Sequence, residues 1–270
     1  MQPFQAKKSL GQNFLTNPKI AEKIAKTAGI APGDAVLEIG PGTGMLTRAL
    51  LREGACVLAV EADIRAIDVL HETFPEEIAL KKLTLLHQDI RTVALKDLPL
   101  PKKYSVVANI PYYLSGMLFE KMLESDYQPE TLVFLVQKEV AERIVRSKKE
   151  SILSLSIKAY GIPSYEGTVS RGNFRPQPGV DSAILAIRGI SKKNFTTLDE
   201  TTFFMILKTG FRARRKHLLA NLTTITSREV LKDTFNALTL PLDVRGEDIS
   251  PETWITLALK LSPFCNKQIP

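Results

Sequence analysis

Between residues 35 and 136 the chain alternates five short apolar runs with helical stretches, and no other feature constrains its fold as tightly. The runs 35–39, 56–60, 83–87, 104–108 and 131–136 are rich in Val, Leu, Ile and Ala, as strands covered on both sheet faces are. Helical stretches follow through about Arg52, over 63–74, over 115–124 and over 137–146. Ahead of them, Asn17-Pro18 supplies a cap and first turn, and Ile20, Ala21, Ile24, Ala25 and Ala28 follow at helical spacing until Gly29. Strands alternating with helices of this length predict βαβ units and a mainly parallel sheet.

Further along the texture changes. Residues 161–189 read as loops and strands punctuated by Pro163, Pro176 and Pro178. From Leu198 onward the pattern is helical: Phe203, Phe204, Ile206, Leu207 and Phe211 form one apolar stripe, and Ser250-Pro251 caps a helix carrying Trp254, Leu257, Ala258 and Leu261. A boundary near 190, with Lys192-Lys193-Asn194 as linker, divides an α/β domain, 1–190, from a small all-α domain, 191–270. With 270 residues, 44% of them apolar, the chain can bury a sizeable core. No apolar run approaches the roughly 20 residues of a membrane helix, and the N-terminus lacks the apolar stretch of a secretory signal. Cys56 and Cys265 are too few for a disulfide framework and have no metal-ligand neighbours, and His71, His87 and His217 form no metal pattern. A monomeric cytoplasmic protein without membrane or metal is expected.

The net charge of +7 is unevenly placed. Residues 138–216 hold 16 Lys and Arg against 7 Asp and Glu, while the segments before and after them are each close to neutral. A concentrated positive field suits a polyanion such as nucleic acid; a solvated basic face is the plain alternative.

Chemistry gathers at the strand ends. Glu38-Ile39-Gly40-Pro41-Gly42-Thr43-Gly44 follows the first strand, where glycines permit a tight turn and close backbone approach to a ligand. A nicotinamide fingerprint needs glycine at relative positions 1, 3 and 6, and Met45 occupies the third of these. Glu61 closes the second strand, placed to accept both hydroxyls of a ribose, and Asp89 closes the third, placed to accept from an adenine amino group. Two carboxylates beside a glycine turn surround the crevice where open α/β sheets bind ligands, which favours a nucleoside cofactor over two helix caps. After the fourth strand comes Asn109-Ile110-Pro111-Tyr112. An exocyclic amine on a purine is a poor nucleophile because its lone pair is delocalised into the ring. Alone the element reads as a strand ending in a proline turn. Its resemblance to the motif of enzymes that methylate such amines implies that the side-chain oxygen of Asn109 and the C=O of Ile110 accept the two hydrogens and aim the lone pair at a methyl group, while Tyr112 stacks on the base.

The glycine loop resembles that of S-adenosylmethionine-dependent methyltransferases, and Asn-Ile-Pro-Tyr resembles the N/D-P-P-Y/F element of enzymes that methylate amino groups on planar systems. Six stretches in order resemble the KsgA-type ribosomal RNA adenine dimethyltransferases over about 8–261. Beyond the glycine loop and Asn-Ile-Pro-Tyr they are Lys8-Ser9-Leu10-Gly11-Gln12-Asn13-Phe14-Leu15, Val136-Gln137-Lys138-Glu139-Val140-Ala141-Glu142-Arg143, Phe174-Arg175-Pro176-Gln177-Pro178-Gly179-Val180-Asp181-Ser182 and Phe211-Arg212-Ala213-Arg214-Arg215-Lys216. The resemblance implies a Rossmann-like methyltransferase domain plus a helical RNA-binding domain. It implies S-adenosylmethionine held by Asn13, Leu15, Gly40, Glu61, Asp89 and Asn109, and a target adenine stacked between Tyr112 and Phe174. The implied substrate is a pair of adjacent adenines near the 3′ end of small-subunit (16S) ribosomal RNA, each dimethylated at N6 within the assembling 30S particle, with Arg212, Arg214, Arg215 and Lys216 gripping RNA.

Two segments depart from that pattern. Glu150-Ser151-Ile152-Leu153-Ser154 stands where the family often has Tyr-Gly-x-Leu-Ser, and His217-Leu218-Leu219-Ala220 where it often has Thr-Leu-Arg-Asn, which removes one arginine. Two rival readings share the scaffold: the macrolide-resistance enzymes that dimethylate adenine in 23S RNA, and a non-catalytic RNA-binding assembly factor. The F-x-x-R-R-K stretch and long helical tail favour the small subunit over the first, and the intact Asn109–Tyr112 element and cofactor acids argue against the second.

Overall fold

The computed structural model describes residues 7, 11–213 and 215–265. The chain forms two compact units, one of residues 1–142 with 162–190 and the other of 143–161 with 191–270. In chain order the first unit begins with β1 (Phe14–Leu15), α1 (Pro18–Thr27), β2 (Ala35–Ile39), α2 (Met45–Arg52), β3 (Cys56–Glu61), α3 (Ile64–Thr73), α4 (Pro75–Ala79) and β4 (Leu83–His87). It continues with β5 (Ser105–Asn109), α5 (Ser115–Leu123), β6 (Thr131–Gln137) and α6 (Lys138–Val145), within which the chain passes to the second unit. After α7 (Ile152–Tyr160) it returns through β7 (Ile162–Val169), β8 (Phe174–Arg175) and β9 (Ser182–Arg188).

Seven strands form one sheet in the order β4-β3-β2-β5-β6-β9-β7. The five expected strands are all present and pair in parallel, and β9 and β7 extend the sheet antiparallel beyond β6. Val36, Leu37, Val106, Val107 and residues 132–136 are all 0% exposed, so the centre of the sheet is covered on both faces. Burying each of these side chains contributes roughly 1.5–3 kcal/mol, which is why continuous apolar runs rather than alternating ones mark these strands. Helix starts follow the expected chemistry: the Asn17 side chain accepts from the Lys19 N–H (3.1 Å) with Pro18 in the first turn. Apart from the main sheet, β1 and β8 make a two-stranded antiparallel ladder, with Leu15 opposite Phe174.

The second unit comprises α7, α8 (Glu200–Gly210), α9 (Leu218–Leu222), α10 (Arg228–Ala237) and α11 (Pro251–Leu261). The last change of unit falls between 190 and 191, and the helical unit also includes 143–161, which the expected division placed in the first domain. Residues 143–161 pack with the helices because Tyr160, 1% exposed, lies 5.1 Å from the Phe195 ring and stacks on Phe204. Lys192-Lys193-Asn194 is likewise no free linker, since the Asn194 amide donates to the Ala159 carbonyl (2.7 Å) and Phe195 packs edge-on to Phe203. No helix among the described residues is long and apolar enough to cross a membrane.

Candidate active site

Strand order reverses at the centre of the first unit's sheet: β3 and β4 lie on one side of β2, β5 and β6 on the other. The crevice at the carboxyl ends of such neighbouring strands is where open α/β sheets take ligands. Here it holds about 840 Å³, its open mouth included. Gly40, Gly42 and Gly44 turn the chain from β2 into α2 with φ of 66°, 56° and 85°. At two of the three, space forbids a side chain too, since a Cβ on Gly42 would stand 2.7 Å from the Phe14 ring and one on Gly44 2.5 Å from Phe74.

Glu61 ends β3 and is 6% exposed. Its Oε2 accepts from the Gly42 N–H (3.0 Å) and its Oε1 from the Asp63 N–H (2.9 Å). Burial pushes its pKa above the usual carboxylate value, and these backbone donors hold the rise in check. Asp89 lies two residues past β4 rather than within it, and Arg91 clamps its carboxylate through Nε (2.9 Å to Oδ2) and Nη2 (2.6 Å). That contact lowers the Asp89 pKa.

Asn109 ends β5, and its Nδ2 donates to the main-chain carbonyl of Asn13 (2.9 Å). Ile110, Pro111 and Tyr112 continue along the wall, and the Tyr112 hydroxyl is hydrogen-bonded to Ser182 Oγ (2.7 Å). Gly40, Glu61, Asp89, Asn109, Ile110, Tyr112 and Asn13 thus converge on one crevice. Two expected residues do not present side chains to it. Leu15 is 5% and Phe174 1% exposed, because they face each other in the β1–β8 ladder and pack into the apolar core. Phe14, next to Leu15, lines the crevice instead. Gln12, Arg91 and the 59%-exposed Tyr113 line it as well, although sequence reasoning did not single them out. Of these, Tyr113 carried a local signal as an aromatic residue extending the Asn-Ile-Pro-Tyr element, and Gln12 stood within the Lys8–Leu15 stretch. Among the described residues, no three His, Cys, Asp or Glu side chains group as a metal site.

In the second unit Arg212, Arg215 and Lys216 are exposed in the turn between α8 and α9; Arg214 lies outside the described residues. Phe211 stacks on Trp254 (5.6 Å between ring centres), and the buried Asn221 amide donates to the carbonyls of Gly210 (2.6 Å) and Ala213 (3.2 Å), so the turn is braced at its start. Lys216 borders an open cleft with Arg143, Lys149 and Arg245, and there Lys149 is paired with Glu247.

Residues 3–261 match the ribosomal RNA adenine dimethylase family. The chain belongs to that family. Ribosomal RNA small subunit methyltransferase A of Dehalococcoides mccartyi is 38% identical over 260 residues, covering 95% of this chain and 88% of the relative. The Enterococcus faecalis protein of the same name is 37% identical over 268 residues, 94% of this chain and 90% of the relative. Among solved structures, a dimethyladenosine transferase from Plasmodium falciparum superposes with a TM-score of 0.78 at 25% identity, covering 93% of this chain and 98% of that one. The 23S ribosomal RNA methyltransferase ErmE does so with 0.75, also at 25% identity, covering 93% and 100%. The family is one of S-adenosylmethionine-dependent methyltransferases, and the Rossmann-like fold expected for this dimethylase is the one observed.

Proposed function

We propose that this dimethylase transfers methyl groups from S-adenosylmethionine to N6 of two adjacent adenosines near the 3′ end of 16S ribosomal RNA, acting as a cytoplasmic monomer on the assembling 30S particle. The observation that carries the reading is the placement of Asn109-Ile110-Pro111-Tyr112 at the end of β5, on the same crevice as the glycine turn and Glu61. Small-subunit enzymes at 37–38% identity favour this substrate over the large-subunit RNA of ErmE at 25%.

The residues fit the cofactor. Glu61 accepts from backbone N–H groups, Gly42 on one oxygen and Asp63 on the other, and a carboxylate with about four acceptor sites keeps room for a ribose hydroxyl. Asp89 would share its carboxylate between Arg91 and the adenine amino group. When bound, S-adenosylmethionine supplies an electrophilic methyl group. The chain's part is positioning: Asn109 Oδ1 and the Ile110 carbonyl accept the two hydrogens of N6, freeing its lone pair from the ring, and Tyr112 holds the base by stacking. Pro111 offers no N–H to compete at that point. No general base is needed, because the alkylated nitrogen is acidic and releases its proton to solvent. Phe174 could stack on the base only after leaving the core, so Tyr112 carries that contact.

Primer extension across both adenines in small-subunit RNA, from cells with and without the protein, tests the reading. Dimethylation stops the extension, so strands of equal length from both strains would overturn it.

A further inference from the structure

Residues 11–15 form a strap fastened to both walls of the crevice. On one wall Gln12 Nε2 donates to Asp63 Oδ2 (3.3 Å), and the Phe14 ring fills the space that Gly42 leaves by lacking a Cβ. On the other, the Tyr113 ring closes on Gly11, whose φ is +60° and whose absent Cβ would stand 2.9 Å from it. Between them the Asn13 carbonyl accepts from Asn109 Nδ2 (2.9 Å).

A side-chain amide has a donor end and an acceptor end. With the donor end tied to the strap, the acceptor end must face away from it, and Asn109 Oδ1 has no partner among the described residues. We propose that the main-chain carbonyl of Asn13 is a positioning group for methyl transfer, holding the Asn109 amide so that Oδ1, and not Nδ2, meets the target amine. The inference rests on the reading above that Asn109 accepts the hydrogens of N6. Turned over, the amide would set donor against donor, and the amine would lose the acceptor that localises its lone pair. The same contact gives a reason for Asn rather than Asp at position 109: a carboxylate could accept from the amine, but it has no hydrogen for Asn13 and would repel that carbonyl.

Kinetics of methyl transfer to small-subunit RNA, with S-adenosylmethionine varied up to saturation, separate positioning from simple covering of the cofactor. Gly11→Val drives a side chain into Tyr113 and displaces the strap; Asn109→Asp keeps the size of the side chain and removes the donor. Each should lower kcat on the order of 10- to 100-fold, the scale of a misplaced reacting group. The double variant should be no slower than Asn109→Asp alone. A Gly11→Val enzyme that raises KM for the cofactor at unchanged kcat, or a further loss in the double variant, would overturn the proposal. Asn109→Asp at the parent kcat would do so even where Gly11→Val fails to fold. An inactive parent would instead sink the proposed function.

Discussion

Glu38 sits at the end of β2 beneath the glycine turn, 1% exposed, with neither carboxyl oxygen in hydrogen-bonding geometry with a partner. Burial pushes its pKa up to about 8, and the charge of Glu61 adds to the rise. The folded protein therefore keeps this proton to about pH 8, whereas the unfolded chain releases it near 4.5. Between those values the unfolded state binds fewer protons, so the contribution of Glu38 to stability is fully present below pH 4.5 and falls as pH rises to 8. Glu38→Gln should flatten that decline, as melting temperatures taken from pH 5 to 8.5 would show; a slope equal to the parent's would assign the decline to other groups. Asp63 runs the opposite way. Arg65 holds its pKa at about 2, so its contribution is present above 3.8 and lost as pH falls toward 2. On the crevice itself, the proposed role of Glu61 makes it the acceptor for two ribose hydroxyls, and losing hydrogen bonds to a charged group in Glu61→Ala costs about 1.5–3 kcal/mol. S-adenosylmethionine should then bind roughly 10- to 100-fold more weakly by calorimetric titration. Undiminished binding would mean that Glu61 serves only to fasten Gly42 and Asp63.

Gly210 ends α8 where that helix meets α11 and α9. A Cβ there would lie 2.4 Å from the Trp254 ring and 2.8 Å from Leu218, both fully buried. Forcing a methyl into such a core costs typically 1–3 kcal/mol. Gly210→Ala should lower the denaturation midpoint of the helical unit by a corresponding amount and leave S-adenosylmethionine binding in the other unit unchanged. A midpoint equal to the parent's would show that Trp254 has room to shift. The apolar stripe of α8 was legible in the sequence, because Phe203, Phe204, Ile206 and Leu207 recur at helical spacing, and so were the five parallel strands. The partners of these elements were not. Nothing local assigns residues 143–161 to the helical unit, since Tyr160 finds Phe195 and Phe204 only on folding. The same holds at the crevice. Glu61 and Asn109 were readable as strand-end polar groups, but the Asn13 carbonyl is 96 residues from the amide it orients. Phe174 reads as an available aromatic until its pairing with Leu15 buries it.

At the scale of the whole molecule the positive charge belongs to one unit. The helical unit, 143–161 with 191–270, holds 17 Lys and Arg against 9 Asp and Glu, while the other holds 19 against 20. The excess that the sequence places in 138–216 is thus a property of the helical unit; the returning segment 162–190 adds only Arg171, Arg175 and Arg188 against Glu166 and Asp181. Division of labour follows from this distribution. On the proposed reading, the near-neutral unit takes one nucleoside and one base in its crevice, and the basic unit supplies the positive field that attracts phosphates. If the turn after α8 docks RNA, its exposed Arg212, Arg215 and Lys216 displace counterions on binding, and each phosphate neutralised contributes about −0.7 to −0.9 to the slope of log affinity against log salt. Replacing the three with alanine should flatten that slope by roughly 1 to 3 and weaken binding of small-subunit RNA, with affinity for S-adenosylmethionine intact. Were the turn only a solvated surface, the triple variant would keep the parent's slope. RNA docking would then have to be sought in the cleft of Arg143, Lys149 and Arg245, where the pairing of Lys149 with Glu247 leaves fewer charges free to meet phosphate.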